Sequence, residues 1–176
     1  MRSAFWHWPH LRLDSPVSSH QLELSLPPMN ALNQAQNQDS DERDVRHLVL
    51  DAINRTQSDE FERFFDLFTP EATWMLPSQV KDVGLDEAKR FYRFTEKFRF
   101  EQQVNLDEVR VFSEVAYARL TFDGFLVPKL DPSAASIRSV SRHLWIMRKE
   151  HTQQWRLDRV IWNTPRPNER VTQRAY

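Results

Sequence analysis

The sequence contains no cysteine, which excludes disulfides, thiolate nucleophiles and cysteine-ligated zinc or iron–sulfur centres. Only two glycines occur, Gly84 and Gly124. Phosphate-cradling loops and dinucleotide fingerprints need several glycines close together, so both are excluded. Neither sign of charge is in excess: 24 Lys and Arg stand against 25 Asp and Glu, a formal net charge of −1. Nucleic acid and anionic membrane are therefore not expected partners. No apolar run approaches the ~20 residues of a membrane span. Arg2 is followed by no apolar stretch of the kind a secretory leader carries. These absences make a cytoplasmic location the expectation, with no metal and no cofactor.

What is present suffices for one domain and a tail. The 176 residues are 40% hydrophobic and 12% aromatic, enough to fill a core. Residues 1–39 hold Pro9, Pro16, Pro27 and Pro28 and then a polar run, with no persistent helical or strand period. They read as a disordered or loosely attached tail, on which Phe5, Trp6 and Trp8 stay mobile. His7 and His10 lack a third metal ligand and any supporting shell. Met29 stands close before the ordered part and marks a candidate natural start.

A first helix is expected from Ser40 or Asp41 to about residues 55–57, with Val45, Leu48, Val49, Ala52 and Ile53 on one face. A second starts at Ser58 or Asp59, where Asp59 and Glu62 have capping-box spacing, and Pro70 stops it. Its Phe61, Phe64, Phe65 and Phe68 form an aromatic stripe that reads as core. A short strand follows at 73–76, and a third helix runs from Leu85 to about Lys97. The remainder changes to strand pattern at 104–112, 115–127, 142–149 and 155–163. In the second of these, Ala116, Ala118, Leu120 and Phe122 alternate with Tyr117, Arg119, Thr121 and Asp123, an apolar and a polar face.

Helices followed by a strand meander predict an α+β domain over 40–165. A curved antiparallel sheet would wrap three N-terminal helices as a cone-shaped α+β barrel, leaving a cavity between the layers. Residues 166–176 form a C-terminal tail.

Three phrases carry a resemblance: Asp66-Leu-Phe-Thr-Pro-Glu-Ala-Thr-Trp, Gly84-Leu-Asp-Glu-Ala, and the closing hairpin of Arg142-His-Leu-Trp-Ile-Met-Arg-Lys with Trp155-Arg-Leu-Asp-Arg-Val-Ile-Trp-Asn. In this order they resemble the SnoaL-like and ketosteroid-isomerase-like branch of the nuclear-transport-factor-two-like superfamily. The phrase Glu62-Arg-Phe-Phe-Asp-Leu-Phe-Thr-Pro-Glu-Ala is also similar to the small β subunits of ring-hydroxylating dioxygenases. The resemblance implies a scaffold with many uses rather than one activity. Ketosteroid isomerisation needs a carboxylate base with a Tyr and a protonated Asp as oxyanion donors. Here the base position falls on Leu76, the Tyr position near Ala52, and the Asp position near residues 142–144, where His143 is the best proton carrier. That activity is not expected.

The candidate catalytic residues are His143, able to titrate near neutrality, and Asp158, if it faces inward and is desolvated. Each has a plainer reading: a hydrogen-bonded structural histidine, and a cross-strand salt bridge. Trp74, Tyr92 and Trp162 are candidate pocket walls, and Asn163 could orient a ligand carbonyl. His47 and His151 are expected at the surface. Two functions remain open. One is an apolar pocket for a small, ring-containing organic molecule, with acid–base chemistry at His143 or Asp158. The other is a non-catalytic assembly module of the dioxygenase β-subunit type, its cavity filled by side chains. An enclosed cavity of about 300 Å³ or more with His143 or Asp158 exposed inside it would favour the first. The polar face of Tyr117, Arg119, Thr121 and Asp123 is expected to pair two subunits as a homodimer.

Overall fold

The structure, a computed structural model, describes residues 29–77, 80–131 and 133–165. Helix α1 spans Met29–Gln57 and α2 spans Phe61–Phe65. Strand β1 (Phe68–Met75) and the two-residue β2 (Val83–Gly84) precede α3 (Leu85–Phe91), which tightens into a 3-10 turn at Tyr92–Glu96. The meander follows as β3 (Phe98–Phe112), β4 (Val115–Pro128), β5 (Ile137–Lys149) and β6 (Trp155–Asn163). The six strands make one curved, open sheet in the order β2-β1-β6-β5-β4-β3, antiparallel except where β1 runs parallel to β6. The architecture is α+β, as the element order predicts. No helix among the described residues is long and apolar enough to cross a membrane.

Helix α1 lies across β3 and touches β6. Its Val45, Val49 and Ala52 are fully buried in one core cluster with the sheet's Ala116, Ala118 and Leu120. The alternation of β4 thus sends Ala116, Ala118, Leu120 and Phe122 inward and leaves Tyr117, Arg119, Thr121 and Asp123 on the outer face. Met147 and Leu157, also fully buried, continue the layer; burying each such side chain contributes about 1.5–3 kcal/mol.

Several expected boundaries shift, each for a local reason. Helix α1 begins at Met29 rather than at residue 40. Asp41, expected as its N-cap, lies inside the helix, where its carboxylate accepts from Lys149 Nζ at 2.7 Å and Trp155 Nε1 at 3.1 Å, tying the helix to the β5–β6 hairpin. Asp59 does not cap α2. It sits past the end of α1 with φ 62°, while Glu60 N donates to Arg55 O at 2.8 Å, the left-handed closure that ends a helix. Phe68 and Pro70 belong to β1, not to α2. The proline survives there because the β1–β6 pairing shifts register between Phe68 and Thr73, so no ladder bond needs its missing N–H. β3 and β5 start six and five residues earlier than expected, at Phe98 and Ile137. Of the tail expected over 1–39, residues 29–39 lie instead in α1, while residues 1–28, with Phe5, Trp6, His7, Trp8 and His10, and the tail at 166–176 lie outside the described residues.

Candidate functional site

Alternation along β5 turns Ser139, Ser141, His143 and Trp145 to the same inner face, and all four line one cavity of about 170 Å³. The strands on either side contribute Phe122 of β4 and Val160 and Trp162 of β6. The helical layer closes it with Phe64, Phe91, Tyr92 and Phe94, and Thr56 in the last turn of α1. Phe91, 44% exposed, and the exposed Thr164 just beyond β6 bring the lining to the protein surface. Gln102 on β3 reaches across and donates from Nε2 to Ser139 Oγ at 2.9 Å.

The cavity is aromatic and uncharged. No Asp, Glu, Lys or Arg appears among its described lining residues. The His143 ring stacks on Trp162 at 5.6 Å between centroids and packs against Phe122 at 4.4 Å. Burial, with no carboxylate beside it to offset the cost, pushes the His143 pKa down to about 3, so the imidazole is neutral. Its tautomer follows from its neighbours. The Trp145 indole can only donate, and its Nε1 lies 3.3 Å from His143 Nδ1, so Nδ1 is the acceptor. The ring proton then sits on Nε2 and is donated to Ser141 Oγ at 2.8 Å. With its lone pair occupied, His143 is placed as a donor of a hydrogen bond rather than as a base. Burial likewise pushes the Tyr92 phenol up to about 12, offset in part by the nearby Trp74 indole N–H. Tyr92 is a neutral hydroxyl, and that indole N–H makes no hydrogen bond of good geometry among the described residues.

Of the residues singled out from sequence, His143, Tyr92 and Trp162 meet in this cavity. Trp74 is fully buried beneath Phe68, their rings 4.7 Å apart, and belongs to the core. Asn163 is exposed at the end of β6, outside the lining. Asp158 is buried but lies away from the cavity. The β5–β6 pairing goes from Ile146 opposite Arg159 to Met147 opposite Leu157, leaving Asp158 as the extra residue of a bulge. There its carboxylate accepts from Thr69 Oγ1 at 2.7 Å and pairs with Arg159 at 2.9 Å and Arg148 at 3.4 Å. The plainer reading, a salt bridge that fixes the bulge, describes its place. Leu76 and Ala52, at the positions where an isomerase would carry its base and its tyrosine, are buried outside the lining. His47 and His151 are exposed.

Ser139, Ser141, Gln102 and Trp145 were not identified from sequence. The signal for three of them was present: counting back and forward by two from His143 reaches Ser139, Ser141 and Trp145. Starting the strand at Arg142 cut off the two serines.

No family model and no curated protein matches this chain. Solved structures do. A ketosteroid isomerase-like protein from Erwinia carotovora atroseptica is 18% identical with a TM-score of 0.61, the match covering 70% of this chain and 97% of that one. An NTF2-like protein with a cystatin-like fold from Novosphingobium aromaticivorans is 16% identical with a TM-score of 0.57, over 78% of this chain and 90% of that one. The association domain of CaMKII from Caenorhabditis elegans is 15% identical with a TM-score of 0.55, covering 73% and 98%.

Proposed function

Since the chain has the cystatin-like fold of the NTF2-like and ketosteroid isomerase-like proteins, we propose that it is a binding domain for a small, uncharged, ring-containing organic molecule. The observation that carries this reading is the cavity itself: walls of Phe, Tyr and Trp, a few uncharged hydroxyls and amides, and no ionised group among the described lining. Aromatic faces supply apolar area, and a small number of polar groups fix orientation. The volume of about 170 Å³ falls short of the roughly 300 Å³ of a larger ligand pocket, and it matches a single aromatic ring with a short substituent rather than a steroid or a polyketide. The reading assigns no acid–base step, because Trp145 donates to His143 Nδ1 and Asp158 lies outside the lining.

The test is a calorimetric comparison of benzamide with benzoate near pH 7.5. Burying a carboxylate with no partner costs several kcal/mol, so benzamide binds and benzoate binds at least about tenfold more weakly. Equal binding of the two, or binding of neither, refutes the reading.

The comparison with an association domain supports one further element, a homodimer formed through the outer sheet face of Tyr117, Arg119, Thr121 and Asp123. Exposed Phe112 and Val115 extend that face at the β3–β4 turn. Light scattering at micromolar concentration is expected to give twice the chain mass, and a monomer at that concentration removes this element. An assembly role alone leaves the open cavity without a purpose.

A further inference from the structure

Within the binding reading above, on which this inference rests, the structure specifies the chemistry of the ligand's polar end. We propose that Trp145, His143 and Ser141 form a one-way chain of hydrogen bonds that aims a proton donor, the Ser141 hydroxyl, at a carbonyl or similar acceptor oxygen on the bound ring.

The direction of the chain is fixed at its buried end. Trp145 Nε1 has a hydrogen to give and no lone pair to accept with, so the bond to His143 Nδ1 at 3.3 Å runs one way. A neutral imidazole that accepts at Nδ1 must donate at Nε2, and its partner there is Ser141 Oγ at 2.8 Å. The serine oxygen is thus already an acceptor. Its own hydrogen has no acceptor among the described residues, and Ser141 lines the cavity. Reversing the chain would put the ring proton on Nδ1, facing an indole N–H, and leave two donors head to head. The cavity wall disfavours the other escape, protonation, since among the described residues no acidic side chain lines the cavity beside the ring; its immediate neighbours are Phe122, Trp162, Ser141 and Trp145.

A buried hydroxyl with an unspent hydrogen is costly when empty of ligand and favours any guest that brings an acceptor. Each bond in such a series also polarises the next, so the terminal hydroxyl is a stronger donor than a lone serine. The matching ligand class is therefore an aryl aldehyde, aryl ketone or quinone-like carbonyl. Ser141 touches it; His143 and Trp145 are positioning residues that act through Ser141. The lining holds other neutral hydroxyls, those of Tyr92, Ser139 and Thr164 among them, and Tyr92, on the opposite helical wall, gives the experiment its control.

The experiment measures affinities of acetophenone and α-methylstyrene, close in shape and differing by C=O against C=CH2, for the full chain and for Ser141→Ala, Tyr92→Phe and Trp145→Phe. The ratio of the two affinities is the readout, so a general loss of packing cancels. The expected result is a ratio about fivefold in favour of the ketone relative to that in Ser141→Ala, retained in Tyr92→Phe and reduced in Trp145→Phe. The carbonyl stretch of ¹³C-labelled acetophenone moves to lower frequency in the wild type and returns toward its apolar-solvent value in Ser141→Ala. Histidine ¹⁵N shifts report Nε2 protonated in the wild type and a tautomer mixture in Trp145→Phe. If the ratio is unchanged in Ser141→Ala, or is lost in Tyr92→Phe instead, the chain is not the recognition device, while the ring-binding reading stands. If neither compound binds, the reading of the cavity itself has failed.

Discussion

Lowering the pH from 7.5 to 5 removes about 2 kcal/mol of stability through His143 alone. The buried imidazole keeps its neutral form until about pH 3, whereas in the unfolded chain it takes up a proton near its ordinary value of 6.5. Between pH 6.5 and 3 the unfolded state therefore holds more protons than the folded one, and stability falls as pH falls. Above 6.5 both states are neutral and the effect is flat. Each unit below 6.5 costs about 1.4 kcal/mol, and 1.5 units lie between 6.5 and 5. Urea denaturation of wild type and His143→Gln at both pH values checks it. The variant starts less stable, having lost the stack on Trp162, but its loss between pH 7.5 and 5 is smaller by about that amount. Equal losses in the two proteins would show that His143 is solvated. The same desolvation that sets this pH dependence keeps the cavity uncharged, so the stability measurement and the ligand preference report one property.

Gly124→Ala lowers stability by about 3 kcal/mol and the melting temperature by about 10 °C. The two glycines of the chain differ in what surrounds them. A Cβ on Gly124 would collide with Glu101 O and lie 2.6 Å from Gln102 Cα, both backbone atoms of β3 that no rotamer change can move. A Cβ on Gly84 would meet nothing within 4 Å. Gly84→Ala is the matched control and is expected to be close to neutral. The collision site also bears on the cavity, because Gly124 pairs with Gln102 on one side and Ser139 on the other, and these two side chains bond across it. Forcing β3 and β4 apart there separates Gln102 from Ser139, so weaker ligand binding accompanies the lost stability. Similar melting temperatures for the two variants would refute the close approach.

The fold was legible where the side-chain period was clean. The span of β6, 155–163, and the inward run of Ala116, Ala118, Leu120 and Phe122 follow from alternation alone. Proline at position 70 read as a helix stop because the register shift that tolerates it in β1 is a property of the pairing with β6, not of the local sequence. Asp59 had the composition of a cap, and only its positive φ shows that it ends one helix instead of opening the next. The parity of the last strand was the decisive gap. A strict period of two puts Asp158 and Val160 on one face. The bulge at Asp158 breaks the phase, so that Leu157 and Val160 both point inward and the acid is turned to Arg148 and Arg159. The site was half legible for the same reason. His143 and Trp162 face each other as directly paired residues of β5 and β6. The tautomer that gives them meaning depends on Trp145 and Ser141, two residues to either side, whose roles appear only when all three share a face.

The most direct test of the uncharged ring-binding cavity is to locate benzamide on the protein by isotope-filtered NMR. The account predicts intermolecular contacts from the ligand's ring protons to Phe122, Trp145 and Trp162, with none from benzoate at the same concentration. Ring contacts confined to the outer sheet face, or benzoate seated in the cavity as readily as benzamide, would contradict it.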